Sequence, residues 1–285
     1  MGEVRVEVRA VGVNFRDVLI GLGEYPDGSA LMGSEGAGVV VEVGAGVVDV
    51  VPGDRVFGLL SGGCGPVVVV DRRFVALVPE GWSFVEAASV PMAFLTAFYG
   101  LVDLGGVGVG DAVLVHAAAG GVGMAAVQVA RWLGAEVFGT ASEWKWPVTG
   151  LDEGHVASSR DVGFEGVFRE RTGGRGVDVV LNALAGEFVD ASARLLVPGG
   201  RFVEMGKADV REGSAFEGRV YRAFDLGEAG PDRLQEILVE VVRLFGLGEL
   251  SLLPVRAWDV REVRGVLRHV GSGGHVGKNV LVLPR

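Results

Sequence analysis

The stretch His116-Ala-Ala-Ala-Gly-Gly-Val-Gly123 joins two segments of different periodicity. Ahead of it, AVLVHAA (112–118) is a continuous apolar run of strand length. After it, Val122–Leu133 carries helical spacing, and GAEVFGT (134–140) reads as the next strand. Mapped on G-x-G-x-x-G, Ala118 takes the first glycine place, Gly120 the second and Gly123 the third. The second place lets backbone approach a pyrophosphate, and the third lets the helix pack on the strand. The helix start, with Gly121 and Val122, offers N–H groups and a positive dipole end to phosphate. Alone, a glycine triplet is a tight turn. Between a strand, a helix and a second strand it points to dinucleotide binding.

Working outward, the alternation continues. Phe164–Arg171 reads as a helix, VDVVLNAL (177–184) as a strand, Phe188–Leu196 as a helix, and RFVEM (201–205) and RVYRAFDL (219–226) as strands. This order predicts a doubly wound parallel sheet, an α/β fold. The first eighty residues differ. EVRVEVRA (3–10) alternates polar and apolar, and 37–43, 54–60 and 66–78 are valine-rich segments cut by Gly and Pro. From Ser83, a predicted N-cap, SFVEAASV and MAFLTAFYGLVDLG carry helical spacing. The tail predicts a helix at 232–245, a strand near 250–255, a helix at 260–270 and a closing strand at 277–283. The expected domains are 1–93 and 231–285 for a β-rich domain and 94–230 for the dinucleotide domain.

Composition limits the function classes. Of 285 residues, 48 are glycine, about one in six against a usual ~7%. With 49% hydrophobic residues and no G-X-Y period, neither disorder nor collagen fits. A net charge of −10 argues against nucleic acid and anionic membranes as partners. One cysteine, Cys64, excludes an internal disulfide framework. Ala112–Ala130 is uncharged and long enough to span a bilayer, but Gly120, Gly121 and Gly123 break it. The expected location is the cytoplasm. Lysine is scarce: only Lys145, Lys207 and Lys278.

The strand after the glycine turn selects the dinucleotide. NAD sites place an acid about 20 residues beyond the turn, on the ribose 2′-hydroxyl. Here that place is Thr140, in Gly139-Thr-Ala-Ser142, with Lys145 following and Arg160 beyond Ser158-Ser159. Hydroxyls and cations suit a 2′-phosphate, so Thr140, Ser142, Lys145 and Arg160 are expected to bind NADPH. NAD held by Glu143 is the alternative.

The sequence resembles the medium-chain dehydrogenase/reductase superfamily, in its quinone-oxidoreductase branch. More closely, it resembles the enoylreductase domains of modular polyketide synthases. The resemblance rests on Val13-Asn-Phe-Arg-Asp-Val-Leu-Ile20, Gly33-Ser-Glu-Gly-Ala-Gly-Val39, Ala88-Ser-Val-Pro91, Phe94-Leu-Thr-Ala97 and His116–Met124. It extends through Val180–Ser192, Phe202–Lys207, Tyr221–Asp225 and His275–Lys278. It implies a Rossmann domain inserted in a GroES-like β-rich substrate domain. Zinc-dependent relatives carry a Cys near Asn14 and a His where Ser34 stands, so no metal is expected. Family members have a further strand or hairpin ahead of Glu3 and longer segments at Lys145–His155 and Ala215–Arg219.

The resemblance also implies site residues. Asn14, Thr96, Asn182 and Met205 (with Gly206) match positions lining the nicotinamide half of the cofactor, and Lys278 lies near the closing strand, within reach of cofactor or solvent. Tyr25 matches a tyrosine associated with the configuration of an α-methyl branch. Lys207 and Asp225 match a proposed proton donor and its orienter; a rim salt bridge is the other reading. His116 is expected to be structural. The implied reaction is NADPH-dependent reduction of an enoyl thioester on the phosphopantetheine arm of an acyl carrier protein, beside domains such as a ketoreductase. A free-standing quinone or enone reductase, or a non-catalytic NADPH-binding protein, remain alternatives.

Overall fold

The computed structural model describes residues 2–284 and resolves into two compact units, 1–95 with 229–285, and 96–228. The first segment contributes β1 (Glu3–Val13), α1 (Phe15–Leu22), β2 (Glu35–Val43), β3 (Arg55–Leu59), β4 (Val67–Asp71), β5 (Val75–Leu77), α2 (Phe84–Ala87) and α3 (Pro91–Phe98). The middle contributes β6 (Ala112–Val115), α4 (Gly121–Trp132), β7 (Glu136–Ala141), β8 (Val156–Ser158), α5 (Phe164–Arg171), β9 (Val177–Asn182), α6 (Glu187–Leu195), β10 (Leu196–Glu204) and β11 (Val220–Ala223). The chain then returns with α7 (Gly230–Gly246), β12 (Val255–Asp259), α8 (Val263–Gly271) and β13 (Lys278–Val282).

In the β-rich unit the strands run β12-β13-β1-β2-β3-β5, with β4 also on β1. Strand alternation places Val4, Val6 and Val8 inward, at 0–2% exposure, against Val40, Val56, Val266 and Leu281. Ser83 caps α2 as predicted: its hydroxyl accepts from the Glu86 N–H while the Glu86 carboxylate accepts from the Ser83 N–H.

The middle unit is a six-stranded sheet ordered β11-β10-β9-β6-β7-β8, and every strand pair in it is parallel. The order reverses between β6 and β9, where Val113, Leu114 and Val115 lie beside Val179, Val180 and Leu181. That is the topological switch point, beyond which such sheets bind ligands. All six of these side chains are buried, as a sheet covered on both faces requires.

The structure corrects several boundaries. The strand expected near 250–255 lies at Val255–Asp259, and the 66–78 segment is broken by a 3-10 turn at Arg72–Phe74. RVYRAFDL is strand only over Val220–Ala223, and β6 ends at Val115, where the glycine turn starts. The helices α1 and β-strand β8 were not apparent in the sequence; β8 has three residues, too few for a periodicity to register. The uncharged run 112–130 is a strand, a turn and a helix. Phe84–Leu104 is the helical stretch long and apolar enough to cross a membrane, and 78% of its window is buried, as in a core helix.

Candidate functional site

The turn between β6 and α4 has the form of a phosphate cradle. Ala117 is the one non-glycine with a left-handed backbone among the described residues, φ 52°. Such a conformation costs roughly 1–2 kcal/mol. At Gly123 a Cβ would stand 2.2 Å from the Ala117 carbonyl oxygen, so only glycine lets α4 start this close to the turn. Gly120 is the N-cap and brings no side-chain oxygen to the first N–H groups of the helix. Ala118, within the turn, is fully buried. These N–H groups fit a pyrophosphate.

His116 is structural, as expected. Its ring is fully buried between Thr140 Oγ1 (2.8 Å) and Ser192 Oγ (2.7 Å). Ser192 donates its only hydroxyl proton to the Phe188 carbonyl, so His116 Nε2 carries the ring proton and Nδ1 accepts from Thr140. Burial lowers its pKa to about 3, and the ring stays neutral. This overturns the expectation for Thr140. Its hydroxyl is fully buried and committed to His116, not available to a 2′-phosphate.

The cations of that expectation do come together. Lys145 follows β7 in a short 3-10 helix, and Arg160 follows β8, the adjacent parallel strand. Burial lowers the pKa of Lys145, and the Arg160 charge lowers it further. Two neighbouring cations at strand ends fit a dianionic group. Ser142, half-buried, lies between β7 and Lys145.

Lys207 and Asp225 also meet, because β10 and β11 are neighbours paired at Glu204 and Ala223. The Lys207 ammonium donates to the Phe224 carbonyl at 2.7 Å and lies 3.4 Å from Asp225 Oδ2. Asp225 Oδ1 accepts from the Gly227 N–H, so this carboxylate also starts the next turn. Just before Lys207, Glu204 is 1% exposed, its two oxygens accepting from Asn182 Nδ2 (2.5 Å) and the Gly206 N–H (2.6 Å). Asn182 donates as well to the Leu184 carbonyl and accepts from the Leu184 N–H. The expectation that its amide reaches a ribose is therefore corrected: it is fully buried and shapes the strand ends. Met205 and Gly206 lie half-buried beside them. Thr96, on α3, is 8% exposed.

Glu204 gives a pH prediction. Burial raises its pKa to about 7, against the hydrogen bonds from Asn182 and Gly206; Asp209 raises it further and Lys207 opposes. Tyr221 also faces it electrostatically. A carboxyl whose folded pKa lies above its unfolded value stabilises fully below the unfolded pKa and loses that contribution as pH rises through the folded one. His116 acts oppositely, its contribution being lost as pH falls below 6.5 toward about 3. The stability difference between wild type and Glu204→Gln isolates the carboxyl. It should move against wild type by on the order of 2–3 kcal/mol between pH 5 and 8. A pH-independent difference in urea midpoints would refute this.

In the β-rich unit, Lys278 is corrected too. It is 4% exposed, withdrawn from solvent and committed to partners within its own unit. Its ammonium donates to Glu35 Oε1 (2.6 Å), Asn14 Oδ1 (2.7 Å) and the Val13 carbonyl (3.5 Å), taking up all three protons. Glu35, fully buried, also accepts from Asn14 Nδ2 (2.8 Å) and the Met92 N–H (2.8 Å). Gly12 faces Glu35 across the β1–β2 ladder, and a Cβ there would stand 2.3 Å from Glu35 Oε1. The Asn14 amide is thus fixed from both ends. Tyr25 is half-buried in the loop after α1, its ring under the Arg16 guanidinium. Sequence reasoning missed Glu35, Glu204 and Arg16; an acid inside a glycine-rich or apolar run was the available signal for the first two.

The comparisons agree with this geometry. The alcohol dehydrogenase GroES-like domain family matches residues 1–99 and the zinc-binding dehydrogenase family 151–281. The pikromycin polyketide synthase component PikAII of Streptomyces venezuelae is 60% identical over 99% of this chain. The chain spans only 8% of that relative's length. The CurK enoyl reductase structure superposes with a TM-score of 0.94 at 39% identity, over 99% of this chain and 91% of that one. The mycobacterial protein Rv1454c, solved with NADPH, gives 0.90 at 28%, over 99% and 92%. A parallel sheet with a phosphate cradle at its switch point, a β-rich partner unit and near-complete superposition on an enoyl reductase lead to one conclusion. The chain belongs to the medium-chain dehydrogenase/reductase superfamily, among the enoyl reductase domains of modular polyketide synthases.

Proposed function

We propose that this chain reduces an α,β-unsaturated thioester with NADPH, the substrate being carried on the phosphopantetheine arm of an acyl carrier protein. The observation that carries this is the Lys207–Asp225 pair at the carboxyl end of a parallel strand, in a unit whose glycine turn fits a dinucleotide. When bound, NADPH supplies a hydride for the β-carbon of the substrate. The N–H groups of Gly121, Val122 and Gly123 hold the pyrophosphate, and Lys145 and Arg160, with Ser142, hold the 2′-phosphate. Negative charge then develops on the thioester oxygen. The Lys207 ammonium, held by the Phe224 carbonyl, is placed to stabilise it. The α-carbon needs a proton, and Tyr25 is the phenol proposed to give it. Asn14, Thr96 and Met205 are proposed to line the nicotinamide half.

The test is turnover of a crotonyl thioester with NADPH. Conversion supports the reading. Activity restricted to quinones would favour a quinone reductase, and tight NADPH binding without turnover a non-catalytic role. NADPH should bind about 10²-fold more tightly than NADH, and Lys145→Ala with Arg160→Ala should remove most of that preference. Equal dissociation constants for the two cofactors in the wild type would refute the 2′-phosphate site.

A further inference from the structure

We propose that Arg16 is the positioning residue that fixes the Tyr25 phenol, and so sets the face on which the α-carbon is protonated. The proposal rests on Tyr25 being the proton donor. Residues 24–34 contain neither helix nor strand, so regular backbone pairing does not orient the Tyr25 ring. The Arg16 guanidinium carbon lies 4.7 Å from the ring centroid. That contact is itself anchored: Arg16 Nη1 donates to Ser34 Oγ at 2.8 Å and to the Leu31 carbonyl at 3.3 Å. The two anchoring segments are tied together as well. Buried Asp17, the neighbour of Arg16 on α1, accepts from the Gly33 N–H at 2.8 Å, beside Ser34. Its other oxygen accepts from the Asn14 N–H and closes the start of α1. The guanidinium therefore sits on a fixed frame, and the loop residue Tyr25 stacks on it.

The chemistry gives the contact a second consequence. In the protonation step the Tyr25 O–H bond breaks and a C–H bond forms at the α-carbon, leaving a phenolate. A guanidinium over the ring attracts the phenolate more strongly than the phenol. Water then returns the proton to the phenolate. Arg16 thus acts on orientation and on the ease of donation, through Tyr25 alone. Ser34, in the place where zinc-dependent relatives carry a histidine, serves here as the tether.

The experiment is reduction of a 2-methyl-enoyl thioester by NADPH, with the ratio of α-methyl configurations in the product measured. Tyr25→Phe should shift that ratio. Arg16→Gln should erode it about tenfold, and Arg16→Lys and Ser34→Ala, which keep the charge or remove only the tether, about threefold. The double variant Arg16→Gln/Tyr25→Phe should match Tyr25→Phe, because one residue works through the other. NADPH affinity should not change. An unchanged ratio in Arg16→Gln while Tyr25→Phe shifts it, or additive effects in the double variant, would overturn the proposal. If Tyr25→Phe leaves the ratio unchanged, the donor reading itself fails. Should Arg16→Gln not fold, Arg16→Lys and Ser34→Ala carry the test, and a ratio unaltered in both overturns it.

Discussion

Lys278→Met should destabilise the β-rich unit by about 3–5 kcal/mol, the usual cost of stranding one partner of a buried ion pair. Lys278 and Glu35 are 4% and 0% exposed by side chain, and 2.6 Å apart. Buried Asp17 lies in the same field; burial raises its pKa and the Lys278 charge lowers it. Loss of the ammonium leaves buried Glu35 without the cation it touches and removes the charge that lowers the Asp17 pKa. Glu35→Gln added to Lys278→Met should recover a large part of the loss. A glutamine oxygen still accepts a hydrogen bond from Asn14 or Met92 and carries no charge. Hydrogen exchange in β1 and β13 against urea is the suitable measurement, since the two units need not unfold together. A loss below about 1 kcal/mol, the value of an exposed pair, would refute the buried-pair description.

Lys207→Ala should lower kcat on a crotonyl thioester by about 10²–10³, the effect of removing one donor from a developing oxyanion. The KM for NADPH should move little, because the phosphate contacts proposed above follow β6, β7 and β8 rather than β10. Asp225→Asn should cost less than about fivefold. Its carboxylate is 55% exposed and 3.4 Å away, whereas the Phe224 carbonyl holds the ammonium at 2.7 Å. A mainly positional role of the carbonyl predicts this asymmetry. Unchanged turnover in Lys207→Ala would return the pair to a rim salt bridge. Equal losses in the two variants would instead make Asp225 a full partner in the chemistry.

Much of the architecture was legible because it rests on patterns local in sequence. The apolar run at 112–115, the Gly120–Gly123 turn and the helical spacing after it each declare themselves within a dozen residues. The Ser83–Glu86 capping box is equally local. The site was read less completely. Lys145, Lys207 and Lys278 all occupy specific places, but those places differ in kind. Lys145 stands beside another cation, Lys207 on a backbone carbonyl, and Lys278 inside a core. Nothing within a few residues of Lys278 distinguishes it from a lysine on a cofactor, since its partners are 243 and 264 residues away.

By itself, the sequence determined the parallel sheet, the phosphate turn and the acidic, glycine-rich character of the chain. Those follow from periodicity and from the conformations that single residues allow. Only the tertiary structure decided which polar groups remain available for chemistry. Thr140 and Asn182 both sit where a cofactor contact was expected, yet each is fully buried and donates a hydrogen bond within the fold, Thr140 to His116 and Asn182 to Glu204. The reason is that a buried polar group must find a partner, and the partner comes from whichever strand folding places beside it. Arg16 and Tyr25, both half-buried and nine positions apart on a helix and a loop, meet instead through a cation–π contact.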